Sequence, residues 1–170
     1  MPWYLQALIC IPLGLALGNF TEWWFHRWVL HGLGRKRGTF WSFHFHEHHR
    51  NARRHNFHDP SYQRSPLALH AQGKEAWALI GASLLISPLL LWAPWLCLTL
   101  WYCALNYYLT HKKSHEQPQW AMQHLPWHYD HHMGPNPHAN WCVTKPWSDW
   151  LFGTREHFLK KSANDSLTAR

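Results

Sequence analysis

Apolar and charged positions are sharply segregated along this chain. From Trp3 to Phe20 the sequence WYLQALICIPLGLALGNF carries no charged residue, and from Ala76 to Leu109 there is no Asp, Glu, Lys, Arg or His. All 16 Lys and Arg fall within 27–74 or 112–170. The histidines follow the same division, with His26 and His111 at the margins of the oily runs. Two apolar stretches thus alternate with two basic, histidine-rich ones.

The first stretch is long enough to enter a bilayer, which needs about 20 apolar residues. A cleaved signal peptide would want a basic start, and no Lys or Arg precedes Arg27. The run instead passes straight into EWWFHRWVLH (Glu22–His31), which predicts one helix leaving the membrane with histidines at its end. Gly32, Gly34 and Gly38 mark a turn, Thr39 is a candidate cap, and Trp41–Arg54 predicts a short helix free of Gly and Pro. Asp59-Pro60 and Ser65-Pro66 mark a loop. As one helix, Ala76–Leu109 would span about 50 Å, well beyond the roughly 30 Å hydrocarbon core. Pro88 and Pro94 favour a break and a helical hairpin.

The predicted fold is therefore all-α. It is an integral-membrane helical bundle, with one N-terminal span and a hairpin, bearing a histidine-rich helical cap. Residues 1–159 form a single membrane domain and 160–170 a polar tail. If the two histidine-rich regions meet, an even number of crossings must separate them. The Lys/Arg bias places both in the cytosol, at a bacterial inner membrane or endoplasmic reticulum, with the N-terminus on the opposite side.

Composition sharpens this picture. The mean hydropathy of −0.42 looks soluble only because it averages over the blocks. The net charge of +7 suits anionic lipid or an acidic redox partner, and no nucleic-acid motif accompanies it. Cys10, Cys97, Cys103 and Cys142 form no CxxC pair and read as free thiols. Of the 14 Trp, Trp23, Trp24, Trp28, Trp92, Trp95 and Trp101 lie where aromatics gather at a membrane boundary.

The 17 His call for a metal hypothesis. Four clusters stand out: His26 and His31; His44, His46, His48 and His49; His111 and His115; and His124, His128, His131 and His132. On a helix, residues three or four apart share a face. His44/His48, His111/His115 and His128/His131/His132 should each project into one volume. The adjacent pairs His48-His49 and His131-His132 diverge by about 100° and suit two different ions. His26 and His31, five apart, place one of the two within reach of the second ion. A lone histidine is ordinarily a surface residue, and His55, His58, His70 and His157 are read that way. His46, His124 and His138 remain open. Glu22, Asp130 and Asp149 are candidate carboxylates to accept the second N–H of ligand rings, Glu22 lying one turn before His26.

At these strings the sequence resembles the fatty acid hydroxylase superfamily, which includes sterol desaturases, sterol methyl oxidases and fatty acid 2-hydroxylases. HRWVLH matches its HxxxxH box and HYDHH (His128–His132) its late HxxHH box. HKKSH matches the ligand pair after the hairpin, and PWSDWLFGT (Pro146–Thr154) the closing motif. The middle box, His44-x-x-x-His48-His49, carries one residue more than HxxHH, and His44 is preferred over His46 because it shares a helical face with His48. The resemblance implies a non-haem di-iron oxygenase with ligands His26, His31, His44, His48, His49, His111, His115, His128, His131 and His132. It implies O₂ as co-substrate and hydroxylation or desaturation of a lipid such as a fatty acyl chain or sterol. Zinc can replace iron in purified samples. No electron-transfer module is recognisable, so electrons are expected from a separate donor: cytochrome b5, a ferredoxin or a reductase.

Two rivals come from other classes. His44-Phe-His-Glu47-His48 fits the H-x-x-E-H string of a membrane zinc protease, with Glu47 as general base. A metal store or transporter would instead want ligands inside the spans, which hold none between Ala76 and Leu109.

Overall fold

The structure, a computed structural model, describes residues 2–159. The predicted polar tail at 160–170 lies outside the described residues. Every regular element among those described is helical.

Helix α1 (Trp3–Phe25) runs on without a break into a π-helical turn at His26–Leu30. A second π turn, His44–His48, leads into α2 (His49–Arg54). The hairpin consists of α3 (Ala71–Ile86) and α4 (Pro94–Glu116), joined by a 3-10 turn at Ser87–Leu91. The break falls at the two prolines, Pro88 inside the turn and Pro94 opening α4, where a missing N–H costs least. Both arms extend beyond the oily block, so His111 and His115 ride on the hairpin's second arm. Short helices α5 (Pro118–His124), α6 (Pro126–Met133) and α7 (Trp147–Leu151) complete the chain.

The hairpin is antiparallel. Trp101 Nε1 donates to the Ser83 carbonyl at 3.0 Å, and Glu75 at the head of α3 meets His111 near the end of α4. Helix α1 packs alongside α4 in the same direction. Gly14 faces Thr99 and Gly18 faces Cys103. A Cβ on Gly14 would lie 2.7 Å from Thr99 Cγ2, so this close approach depends on glycine. The C-terminal ends of α1 and α4 and the N-terminal end of α3 therefore lie at one end of the bundle.

The outward faces remain apolar. Leu8, Leu84, Leu85 and Leu91 are exposed, and the helical stretches Trp3–Arg35 and Ala71–Leu91 are long and apolar enough to cross a membrane. The closing segment lies against α1. Asn19 Oδ1 accepts from Ser148 N and Oγ, Trp23 Nε1 donates to Thr154 Oγ1, and the Trp23 and Phe152 rings pack at 4.4 Å. The cysteines are all free.

Candidate metal centre

Ten histidines from the two π turns, the residue that closes the first of them (His31), α2, α4 and α6 converge at that end of the bundle, and all ten are buried. Nine fall into two groups. His26, His31, His44, His49 and His131 form one, and His48, His111, His115 and His132 the other, with the candidate ligand atoms of each group within 4.8 Å of one another. The tenth, His128, brings Nε2 to 3.2 Å from His115 Nε2.

The π turns decide who joins whom. On a regular α-helix, residues five apart point about 140° away from each other. A turn closed by an i→i+5 bond stacks them instead. The amide of His31 bonds the His26 carbonyl, and that of His49 bonds the His44 carbonyl. His26 and His31 therefore enter the same group, as do His44 and His49. This corrects two expectations built on α-helical spacing. His44 and His48, though their rings lie 5.2 Å apart, fall into different groups, and His26 and His31 both belong to the first. The adjacent pairs part, with His48 and His132 in one group and His49 and His131 in the other. His44 occupies the early position of the middle box. His46 turns outward to the Arg35 carbonyl.

The rings are held from behind. His26 Nδ1 donates to the Trp141 carbonyl, His115 Nδ1 to that of Phe57 and His131 Nδ1 to that of Ala139, at 2.5, 2.7 and 2.7 Å. A carbonyl can only accept, so these Nδ1 atoms carry the proton and the Nε2 lone pairs face inward. Two of the supporting carbonyls flank Asn140 (φ 60°), and the third belongs to Phe57 (φ 78°). Left-handed backbone is costly at a bulky residue. At Phe57 it turns the carbonyl toward His115, whose ring stacks on the buried Phe57 ring at 4.4 Å.

Two carboxylates complete this layer, and sequence reasoning missed both. Asp59 Oδ2 lies 2.8 Å from His48 Nδ1, and Glu75 lies 3.0 Å from His111 Nδ1 while also accepting from Tyr62 Oη. The His48 contact and the Ser61 amide hold the Asp59 carboxyl well below its usual range, against the opposing effect of burial. The three carboxylates expected in this role serve elsewhere. Glu22 accepts from the Val143 and Thr144 amides and the Thr144 hydroxyl, not from His26. Asp130 pairs with Arg155 and caps the Leu159 amide. Asp149 receives the Trp141 and Cys142 amides and the Thr154 hydroxyl, so it reaches His26 only through the Trp141 backbone.

Burial keeps His44, His49, His128, His131 and His132 well below the ordinary imidazole range, and neighbouring histidines push the same way. Neutral rings with converging lone pairs repel unless something positive sits among them. Within the first group, Nε2 atoms approach to 2.9 Å (His26–His44, His31–His49) and 3.2 Å (His131–His31, His131–His49). Two nitrogens each about 2.0–2.1 Å from one ion would lie roughly 3.0–3.4 Å apart. In the second group, His48, His111 and His132 have buried Nε2 atoms without a hydrogen-bond partner, a costly arrangement that a cation would relieve. The donor set fits two transition-metal ions.

The protease string does not assemble. Its two histidines belong to different groups, and Glu47 pairs with Lys74 at 3.1 Å on a partly exposed surface. Of the remaining histidines, His124 stacks on Trp120 and His138 is exposed, while His58 donates to the His115 carbonyl. His55 bonds the Asn51 carbonyl, and His70 caps the Gly73 amide at the start of α3.

A cavity of about 400 Å³ runs between α1 and α3 over α4. His26, His44, Glu22, Glu75 and Tyr107 line one end, and Leu15, Ile86 and Leu100 line its depth.

The described residues thus combine an all-helical fold, apolar helices long enough to cross a membrane, and buried histidine clusters that could hold metal ions at one end of the bundle. The fatty acid hydroxylase family model matches residues 11–154, from the middle of α1 to the closing motif, and the chain belongs to that family. No curated protein and no solved structure shows a significant match to it. The family indicates an oxidoreductase acting on lipid at a membrane.

Proposed function

We propose that this protein is a multi-pass di-iron oxygenase that hydroxylates or desaturates a C–H bond of a membrane lipid, using O₂ and electrons from a separate donor protein. The observation that carries the reading is that His26 and His44 of the first buried imidazole group line the end of an apolar cavity, with the second group beside the first. When bound, two iron ions would supply reduction of O₂ and cleavage of an unactivated C–H bond.

The chain's own residues would do the rest. The first histidine group holds one ion, and the second, with His128 beside it, holds the other. His26 and His44 both line the cavity, so a chain lying in it passes directly by the first group. The carbonyls of Trp141, Phe57 and Ala139, with Asp59 and Glu75, fix ring orientation so that little rearrangement accompanies reaction. The apolar wall excludes water from the reacting carbon. In this reading α4 is a third crossing, and the metal centre faces the cytosol because the Lys and Arg cluster there.

The test is iron per chain together with lipid mass spectrometry of cells with and without the protein. Two irons and a new hydroxylated or unsaturated lipid are expected. A single zinc and unchanged lipids would overturn the reading.

A further inference from the structure

The cavity has a direction. Along α1 its lining follows one helical stripe from His26 through Glu22 and Asn19 to Leu15, and along α3 another from Glu75 through Leu79 and Ala82 to Ile86. Each stripe covers roughly 16 Å of helix. The carboxylates of Glu22 and Glu75 and the hydroxyls of Tyr107 and Thr144 stand toward the histidine end, while Ser83 is the hydroxyl-bearing residue of the α3 lining beyond them. The depth beyond them is walled chiefly by aliphatic side chains, with Leu15, Leu79, Ile86 and Leu100 around the small Ala82. Pushing a polar head into that end would strip its water and offer few partners in return. A methyl-terminated tail meets no such penalty.

We infer that the slot between α1 and α3 binds an unbranched alkyl chain with its tail toward Ile86 and Leu100. Ala82 and Ile86 act as its ruler, setting how long a chain is accepted. The carbon facing His26 and His44 is then counted from the polar end of the lipid, not from its methyl end. This rests on the oxygenase reading only for the consequence at the metals; the binding itself does not.

The experiment measures binding of saturated fatty acids of increasing length to the iron-loaded protein in nanodiscs, by displacement of a fluorescent fatty acid. Affinity should rise with chain length and then stop rising. Ala82→Phe should shorten that cutoff by about three carbons, roughly the reach of a phenyl ring. Ile86→Ala should lengthen it by about two, the space its lost side-chain atoms leave. The opposite signs keep the test decisive if Ala82→Phe folds poorly, since Ile86→Ala removes bulk and forces nothing apart. Coincident cutoffs in wild type and Ile86→Ala, or no cutoff at all, overturn the ruler. Lipid analysis of the cells that express the same variants is read separately. Cutoffs that shift as expected, with no oxidised lipid, would sink the oxygenase reading and leave the ruler standing.

Discussion

His44 and His49 direct their Nε2 atoms to within 3.2 Å of each other although five residues separate them. The π turn at His44–His48 makes this possible, and it also frees His48 to face the opposite group. The extra residue in the middle box is thus accommodated by a wider turn. His26 and His31 repeat the device at the end of α1. One helical segment can in this way serve two ions through neighbouring residues.

The two groups make ligand replacements separable. His49→Ala removes a ring from the first group and His132→Ala one from the second. Each should lower bound iron and abolish product, since neither ion alone completes the centre. His46→Ala, whose ring faces the Arg35 carbonyl, should leave both unchanged. Iron analysis with lipid mass spectrometry decides, and a His49→Ala, His132→Ala double variant with full product would refute the site.

Asp59 and Glu75 orient His48 and His111 without being ligands themselves. Asp59→Asn and Glu75→Gln should each reduce iron affinity or turnover by about 10–100-fold, the usual cost of losing a carboxylate behind a ligand imidazole. Glu22→Gln should act differently. It weakens the anchor of Val143 and Thr144 on α1, so thermal stability should fall while iron affinity changes less. Competition with a chelator, run beside thermal melts, distinguishes the two patterns. Equal iron loss in all three variants would place Glu22 with the other two.

Much of this architecture was legible in the chain. The oily blocks and paired prolines foretold the helices and the hairpin break, and the histidine strings singled out the residues that converge. Missing were features that α-helical periodicity does not encode. The π turns are backbone insertions without a compositional mark, so the partition of His26, His31, His44 and His48 came out differently. Asp59 sat in a loop signalled only by Asp-Pro, and Glu75 at the edge of an apolar run, where an acid ordinarily marks a helix start. Their roles depend on contacts 11 and 36 residues away in sequence. Glu22 misled for the converse reason: its one-turn spacing from His26 was real, but two backbone amides of a distant segment compete better for its oxygens.

Topology gives an independent prediction. Single cysteines introduced in a cysteine-free background at Lys36, Lys113 and Trp92 probe the histidine-bearing end twice and the hairpin tip once. Lys113 and Trp92 are both exposed. An impermeant thiol reagent added outside sealed cells should label Trp92→Cys alone. Labelling of Lys36→Cys or Lys113→Cys from outside would invert or break the arrangement.

Acid sensitivity follows from the buried rings. His44, His49, His128, His131 and His132 are held well below the ordinary imidazole value of 6.5 by desolvation, reinforced by nearby histidines. In the unfolded chain these rings take up protons near that value, whereas in the folded protein they refuse them. Below it the unfolded state therefore binds more protons, and stability falls as pH falls, by about 1.4 kcal/mol per pH unit for each such ring. Above it both states are neutral and the effect vanishes. Asp59 adds nothing in this window, because its carboxyl is ionised in both states well above its own ordinary value of 3.8. The metal-free protein should thus melt at nearly constant temperature above about pH 7.5 and progressively lower below about 6.5. Thermal unfolding in detergent across that range is the measurement. The iron-loaded protein should drop more steeply, since ligation also requires neutral imidazole. A melting temperature that stays flat on acidification would mean that these rings are not held neutral in the folded protein.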